Sequence, residues 1–169
     1  DVVAANAALR ACAALPGEEG ARARAVLGAA RSAGALVTKA MYRYALRALA
    51  GPGEAGCGPG GSHVFALLRA MRETATFQPD EGMFLEAIKA CGAGGEWEAC
   101  TRILRDMQVA YTMMTTRDEN SMIASGTFRP GPAAYAAVLD VLEAHGRRAE
   151  ADRLLGVAVR AGALPDTAQ

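Results

Sequence analysis

Apolar residues recur along this chain at helical spacing, in segments separated by Gly, Pro and polar residues. Each segment contains an aliphatic residue, and an aliphatic pair follows it further along the chain. The single residues are Leu9, Leu46, Ile88 and Leu139, and the pairs are Val26-Leu27, Leu67-Leu68, Ile103-Leu104 and Leu154-Leu155. Apolar positions with this periodicity are typical of amphipathic helices. The pattern predicts helices over about 2–14, 18–33, 38–50, 62–74, 81–92, 96–110, 132–144 and 147–161.

The predicted helices group into a repeated unit of two helices with a period of about 35 residues. Three units end on similar segments, which contain Pro79-Asp80, Pro130-Gly131 and Pro165-Asp166. Proline cannot continue the preceding helix, and an aspartate after it can cap the next one. The units are predicted over about 2–38, 39–80, 81–131 and 132–166, with insertions at 51–62 and 108–127. We expect all of residues 1–169 to form one all-α domain, because insertions between helices cost little.

The composition argues against several classes of protein but does not identify a function. Eighteen Lys and Arg balance eighteen Asp and Glu, so the net charge is zero and a nucleic-acid partner would need a local basic patch. The four cysteines form no CxxC pair, which argues against zinc, and no cofactor is predicted. No apolar run is long enough to span a membrane. No nucleophile–base pair or phosphate-binding glycine loop is recognisable, so we expect no enzymatic activity.

Several segments resemble the pentatricopeptide repeat family. The residues that carry the resemblance include Asn6 at the fifth place of the first unit, the segment 84–91, and Gly94-Gly95-Glu96-Trp97, in a unit whose second helix ends near Met107. The last unit has the length of the family's repeat without a gap. The tetratricopeptide family has a similar period, but its Trp…Leu-Gly…Tyr pattern is missing, and Trp97 lies on the second helix instead.

The resemblance implies a right-handed α-solenoid that binds single-stranded RNA along a concave surface, about one base per repeat. It also implies a location in mitochondria or chloroplasts, where members of the family process, stabilise or translate RNA or belong to ribosomes. In that family the fifth and last residues of a unit read the base, and the second residue stacks on it. The reading pairs would here be Asn6 with Thr38, Arg43 with Asp80, Leu85 with Gly131, and Ala136 with Asp166. The stacking residues would be Val3, Ala40, Gly82 and Ala133.

The side chains at these positions favour contact with the RNA backbone over base reading. Leu85 and Ala136 offer no hydrogen bond to a base edge, which base recognition requires. The residues four places after the reading positions share their helix face; they are Arg10, Arg47, Lys89 and Asp140. With Arg43, the first three would form a basic stripe that contacts phosphates. The alternatives are a solvated helix surface for the stripe and a helix-capping role for the aspartates.

The sequence therefore predicts a structural or assembly component of an organellar ribonucleoprotein, such as a ribosome, that contacts RNA and neighbouring proteins. One alternative is a free RNA-processing or stabilising factor, although four units would contact only about four bases. The other alternative is a protein scaffold without RNA contact. An aromatic residue precedes the fifth-place reading position in the second, third and fourth units, and repeated aromatics at this spacing are expected in the core; they are Tyr42, Phe84 and Tyr135.

Overall fold

The computed structural model describes residues 2–14, 19–51, 58–74, 79–115 and 130–165, and over these ranges the chain is all-helical. The predicted all-α class is thereby confirmed for the described part of the chain. Asp166, a predicted reading residue, lies outside the described residues, as do 52–57 and 116–127 of the two predicted insertions.

Eight α-helices and one short 3₁₀ turn make up the described residues. The helices are α1 Val2–Ala14, α2 Glu19–Ser32, α3 Lys39–Ala48, α4 Ser62–Thr74, α5 Glu81–Ala93, α6 Trp97–Thr115, α7 Pro132–Ala144 and α8 Arg148–Arg160. The 3₁₀ turn, Pro59–Gly61, leads directly into α4. Most predicted bounds agree within two residues. The exception is α6, which continues five residues past its predicted end and so extends into the predicted insertion at 108–127.

Side-chain caps begin two of the helices, at residues predicted to close a unit. Thr38 has an extended backbone, and its hydroxyl accepts a hydrogen bond of 3.3 Å from the Met41 amide. Asp80 does the same for α5, accepting a bond of 2.9 Å from the Met83 amide. Each cap pairs an amide that the helix itself leaves without a partner, and such a cap stabilises a helix by about 1 kcal/mol. The capping interpretation of Asp80 is therefore confirmed.

Glycines in the left-handed region end two helices at the predicted tight turns. Gly95 follows α5 with φ of 78°, and Gly146 follows α7 with φ of 67°. In each turn the next amide reaches back five residues: Glu96 N donates to Cys91 O at 2.9 Å, and Arg147 N donates to Leu142 O at 2.8 Å. These bonds satisfy terminal carbonyls and reverse the chain between two helices.

The core contains the residues that the apolar pattern singled out. Leu9, Leu46 and Ile88 are fully buried at the eighth positions of α1, α3 and α5, respectively, while Leu139 of α7 is half-buried. The three equivalent aromatics are also buried, which confirms the prediction that they belong to the core; they are Tyr42, Phe84 and Tyr135.

 Counted from Val2, Lys39, Glu81 and Pro132, where these helices begin, all four aliphatic residues occupy the same eighth position.

The helices contact one another in a regular order. The first helix of each predicted unit packs on the first helix of the next, so α1 contacts α3, α3 contacts α5, and α5 contacts α7. Paired helices also contact each other, α1 with α2, α5 with α6 and α7 with α8, while α4 contacts both α3 and α5. Consequently the exposed edges of α1, α3, α5 and α7 are brought next to one another.

Candidate nucleic-acid interface

An open cleft of about 390 Å³ lies where α3 meets the start of α5. We call it the α3–α5 cleft, and it is lined by Lys39, Ala40, Arg43, Tyr44, Arg47 and Asp80. All but Asp80 come from α3, at spacings that put them on one helix face. Its volume is within the range of ligand-binding pockets. The cleft thus gathers three basic side chains around one carboxylate.

The carboxylate of Asp80 is held by an ion pair across the two helices. Lys39 Nζ lies 2.7 Å from Asp80 Oδ2, and both side chains are nearly half exposed, at 46% and 40%. The other oxygen, Oδ1, accepts the bond from the Met83 amide that caps α5. An ion pair this exposed contributes at most about 1 kcal/mol. Its main effect is to offset one of the three positive charges of the cleft.

The surroundings of Asp80 keep it ionised. Its partial burial acts to raise the pKa of the carboxyl, but the hydrogen bonds from Lys39 and the Met83 amide lower it, as do the charges of Lys39 and Arg43. The lowering effects win, so the pKa lies below its ordinary value. At neutral pH the cleft therefore holds one negative and three positive side chains.

Arg43 lies over the first turn of α5. A Cβ built on Gly82 would be 3.4 Å from Arg43 Nη2 and 3.4 Å from Asp80 Oδ1. The guanidinium group therefore lies at van der Waals distance from the place that a side chain at position 82 would occupy. In the pentatricopeptide pattern Gly82 would be a stacking residue, whereas here Arg43 lies above it. A guanidinium plane can itself stack on a base or bind phosphate.

Three of the seven predicted site residues line this cleft, namely Arg43, Arg47 and Asp80. The other four do not line it. Thr38 uses its hydroxyl as the cap of α3. Asn6, on α1, is half-buried, and its Oδ1 is buried without a hydrogen-bond partner among the described residues.

Arg10 and Lys89 are exposed at the positions of α1 and α5 that correspond to Arg47 of α3. Because α1, α3 and α5 pack in succession, the three basic residues occupy matching places on neighbouring helices. Asp140 is exposed at the same place on α7. The basic stripe itself remains a prediction, since matching positions do not show what the side chains bind.

Lys39 was missed by the sequence reasoning, although it lines the cleft and pairs with Asp80. A signal was present in its spacing: Lys39, Arg43 and Arg47 follow one another at four-residue intervals. Residues at such intervals share a helix face. The pentatricopeptide pattern assigns no RNA-binding role to the first residue of a unit, which is the position of Lys39.

The next boundary along the chain, between α5 and α7, has different chemistry. Glu81 stands where α3 has Lys39, and Gly131 stands where α5 has Asp80. The Gly131 amide donates a hydrogen bond of 3.0 Å to Glu81 Oε1. Leu85 and Ala136 replace the basic residue at the fifth position. The basic character of the α3–α5 cleft is therefore not repeated at this boundary.

The cysteines of the described residues serve packing. Cys12, Cys91 and Cys100 are buried thiols that take part in no disulfide among the described residues. Burial raises the pKa of the Cys12 thiol, and a hydrogen bond with Glu19 and the charge of that carboxylate raise it further. A raised pKa disfavours the thiolate, which is the nucleophilic form. Cys12 and Cys91 thus match the prediction of small buried side chains.

Among the described residues, no group of three or more His, Cys, Asp or Glu side chains is placed to bind a metal ion. None of the described helices combines the length and apolar composition that a membrane crossing requires. Comparison of the sequence with protein-family models gives no match, and comparison with curated proteins gives none either. The pentatricopeptide resemblance consequently depends on this chain's own residues.

Proposed function

We propose that this protein is a noncatalytic, RNA-associated helical-repeat protein that binds RNA backbone through the α3–α5 cleft. The observation that carries the proposal is the convergence of Lys39, Arg43 and Arg47 on one open cleft with a single carboxylate. Phosphates are bound by such clusters largely without regard to base sequence. Arg10 and Lys89 would extend the contact onto α1 and α5.

The repeated order of the helices supports a solenoid of about four pentatricopeptide-like units. Equivalent aliphatic and aromatic residues are buried in successive units, and the first helices of the units contact one another in succession. In a solenoid each unit packs mainly on its neighbours, and the matching helix edges form one continuous surface. The three basic residues Arg10, Arg47 and Lys89 would lie along that surface.

Backbone binding is a better fit than base reading, because two of the polar reading residues, Thr38 and Asp80, are otherwise engaged. Thr38 and Asp80 cap helices, and Asp80 is also paired with Lys39. Leu85 and Ala136 have no polar side-chain atoms. Such a protein would act as a structural or assembly component of a mitochondrial or chloroplast ribonucleoprotein, where neighbouring proteins supply the specificity that the cleft does not.

The direct test measures binding of a fluorescein-labelled single-stranded RNA of random sequence over a range of salt concentrations. We expect the double variant R43E/R47E to lose at least about tenfold in affinity at low salt, since two attractions become repulsions. The alanine pair R43A/R47A should reduce the slope of log affinity against log salt by about 1.4, at ~0.7 per phosphate contact on a single strand.

A charge-matched control is available on helices outside the cleft. Arg105 of α6 and Arg153 of α8 are both exposed, so R105E/R153E changes the net charge by the same amount. It should weaken binding far less than R43E/R47E does. Equal losses in the two double variants, or no loss in either, would contradict the cleft as the RNA site, and the latter would favour a protein scaffold. A strong preference for one RNA over its scrambled version would favour a free processing factor.

A further inference from the structure

A second cavity, of about 450 Å³, lies between α2 and α4 and shares no lining residue with the α3–α5 cleft. We call it the α2–α4 groove. Leu27 of α2 and Leu67 of α4 are buried beneath it, and small residues form its sides. These are Ala21, Ala25 and Gly28 on α2 with Ala66 and Ala70 on α4. The groove is therefore open, mainly apolar and of a size that ligand-binding pockets have.

Gly28 leaves a gap in the wall of this groove. A Cβ built on it would meet no atom within 4 Å, so the space above the glycine is empty. Glycine inside a helix costs about 0.5–1 kcal/mol relative to alanine. The packing of this chain does not explain why position 28 is a glycine, because a Cβ there would meet no other atom within 4 Å. A partner that approaches the helix closely at Gly28 would supply the reason.

Two arginines flank the gap on the same helix. Arg24 and Arg31 both line the groove and both are exposed. They are seven residues apart, which is two helical turns or about 10.5 Å along the axis. Gly28 lies between them on the same face. Among the described residues that line the groove, the remaining ionisable side chain is His63 and none is acidic.

We propose that the α2–α4 groove binds an acidic amphipathic helix of a partner protein. Two carboxylates about two turns apart would pair with Arg24 and Arg31. An apolar side chain between them would enter the gap above Gly28 and contact Leu27 and Leu67. Helix-in-groove recognition uses this combination of a buried apolar anchor and polar flanks, and the opposite charges select the partner and its register.

The lining of the groove favours a protein partner over a nucleic acid. Single-stranded RNA is bound through stacking on aromatic or guanidinium planes together with a continuous charged track. The floor of this groove is aliphatic, and its lining includes no Phe, Tyr or Trp among the described residues. Its two guanidinium groups, Arg24 and Arg31, stand two helical turns apart and form no continuous charged track. An aliphatic floor gains free energy when it buries an apolar side chain. Phosphate groups would gain no such free energy from contact with the aliphatic floor.

The probe for this proposal is a displayed library of helical peptides with randomised surface positions, selected on the full 169-residue chain. We expect the enriched peptides to carry two acidic residues seven apart, with an apolar residue between them. Their affinity is then measured by fluorescence anisotropy. The variant R24E/R31E should weaken binding at least about tenfold, because repulsion replaces two attractions.

Gly28→Leu gives a second and independent measurement. A Cβ at this position meets no atom within 4 Å, and leucine is a better helix former than glycine, so we expect the fold to be kept. Peptide binding should fall at least about tenfold, since the anchor's space is taken. The charge-matched control for R24E/R31E is R43E/R47E, which lies in the α3–α5 cleft. It should leave peptide affinity unchanged, whatever it does to RNA binding.

Three results would overturn the proposal. They are a selection that enriches no peptide, enriched peptides that are neutral or basic, and acidic peptides that bind the Gly28→Leu variant as tightly as the wild type. A loss of random-sequence RNA binding in R24E/R31E that equals the loss in R43E/R47E would instead assign this groove to RNA.

Discussion

The boundary between α3 and α5 differs from the boundary between α5 and α7, although both use the same helix positions. At the first, Lys39 pairs with Asp80 and Arg43 lies over Gly82, which leaves an open basic cleft. At the second, Glu81 accepts a bond from the Gly131 amide. The helices place equivalent positions next to each other at both boundaries, and the side chains at those positions decide whether a boundary is basic.

Close packing distinguishes the second boundary further. A Cβ on Gly92 of α5 would lie 2.5 Å from Cγ2 of Val141 of α7, so glycine is needed for the two helices to approach. At the first boundary a Cβ on Gly82 would meet the far end of Arg43 at 3.4 Å, an ordinary contact with a flexible side chain. The comparison indicates that the two glycines of α5 have different roles. Gly92 allows α5 and α7 to pack closely, and Gly82 leaves room for the guanidinium group of Arg43.

The largest effect is expected when this packing is disturbed. Gly92→Ala should lower the free energy of unfolding by about 1–3 kcal/mol, the usual cost of inserting a methyl group into a full core. Gly82→Ala, the matched substitution on the same helix, should change it by less than about 1 kcal/mol. Urea denaturation followed by circular dichroism measures both.

A second substitution checks the cause. If the clash with Val141 destabilises Gly92→Ala, then Val141→Ala in the same chain should recover part of the loss, because residues in contact are coupled. Additive effects of the two substitutions would show that the close approach of α5 and α7 at Gly92 is not responsible.

Much of this architecture could be predicted from the sequence, because it depends on local signals. The apolar spacing gave the helices, Gly95 and Gly146 marked turns that need the left-handed region, and Asp80 followed a proline where a cap was expected. The end of α6 was harder to predict, since the segment after Met107 lacks a proline or glycine before Gly126.

The cleft could be predicted only in part. Arg43 and Arg47 share a helix face, so their proximity follows from the spacing alone. The ion pair between Lys39 and Asp80 joins residues far apart in sequence, and it requires the packing of α3 on α5. The close approach of Gly92 to Val141 is likewise a tertiary property that no local pattern contains.

A smaller effect is expected when the single carboxylate of the cleft is neutralised. Asp80→Asn should raise affinity for random single-stranded RNA about threefold at low salt, because it removes the one negative charge beside the three cations. Asparagine caps a helix as well as aspartate does, so α5 should stay intact. Asp152→Asn, on an exposed position of α8, is the matched control.

The comparison of Asp80→Asn with Asp80→Ala separates charge from capping. Both variants lose the ion pair with Lys39, but only the alanine variant loses the cap of α5, and it should be less stable by about 1 kcal/mol. An unchanged or weaker RNA affinity in Asp80→Asn would mean that phosphates do not enter the cleft near this residue.

The smallest expected effect is a pH dependence that belongs to the first boundary alone. The pKa of Asp80 lies below its ordinary value of 3.8, despite burial that acts to raise it, because Lys39, the Met83 amide and Arg43 favour the charged form. A carboxyl whose pKa is depressed by folding stabilises the protein above its unfolded pKa, and that stability is lost as pH falls through the folded pKa.

The wild type should therefore lose stability below about pH 4, and part of that loss should be absent in Asp80→Asn, with a smaller part absent in Lys39→Met. Unfolding midpoints in urea between pH 2.5 and 6 measure it, with Asp152→Asn as the reference. An acid profile in Asp80→Asn that matches the wild type would show that the ion pair seen between α3 and α5 adds nothing to the stability of that boundary.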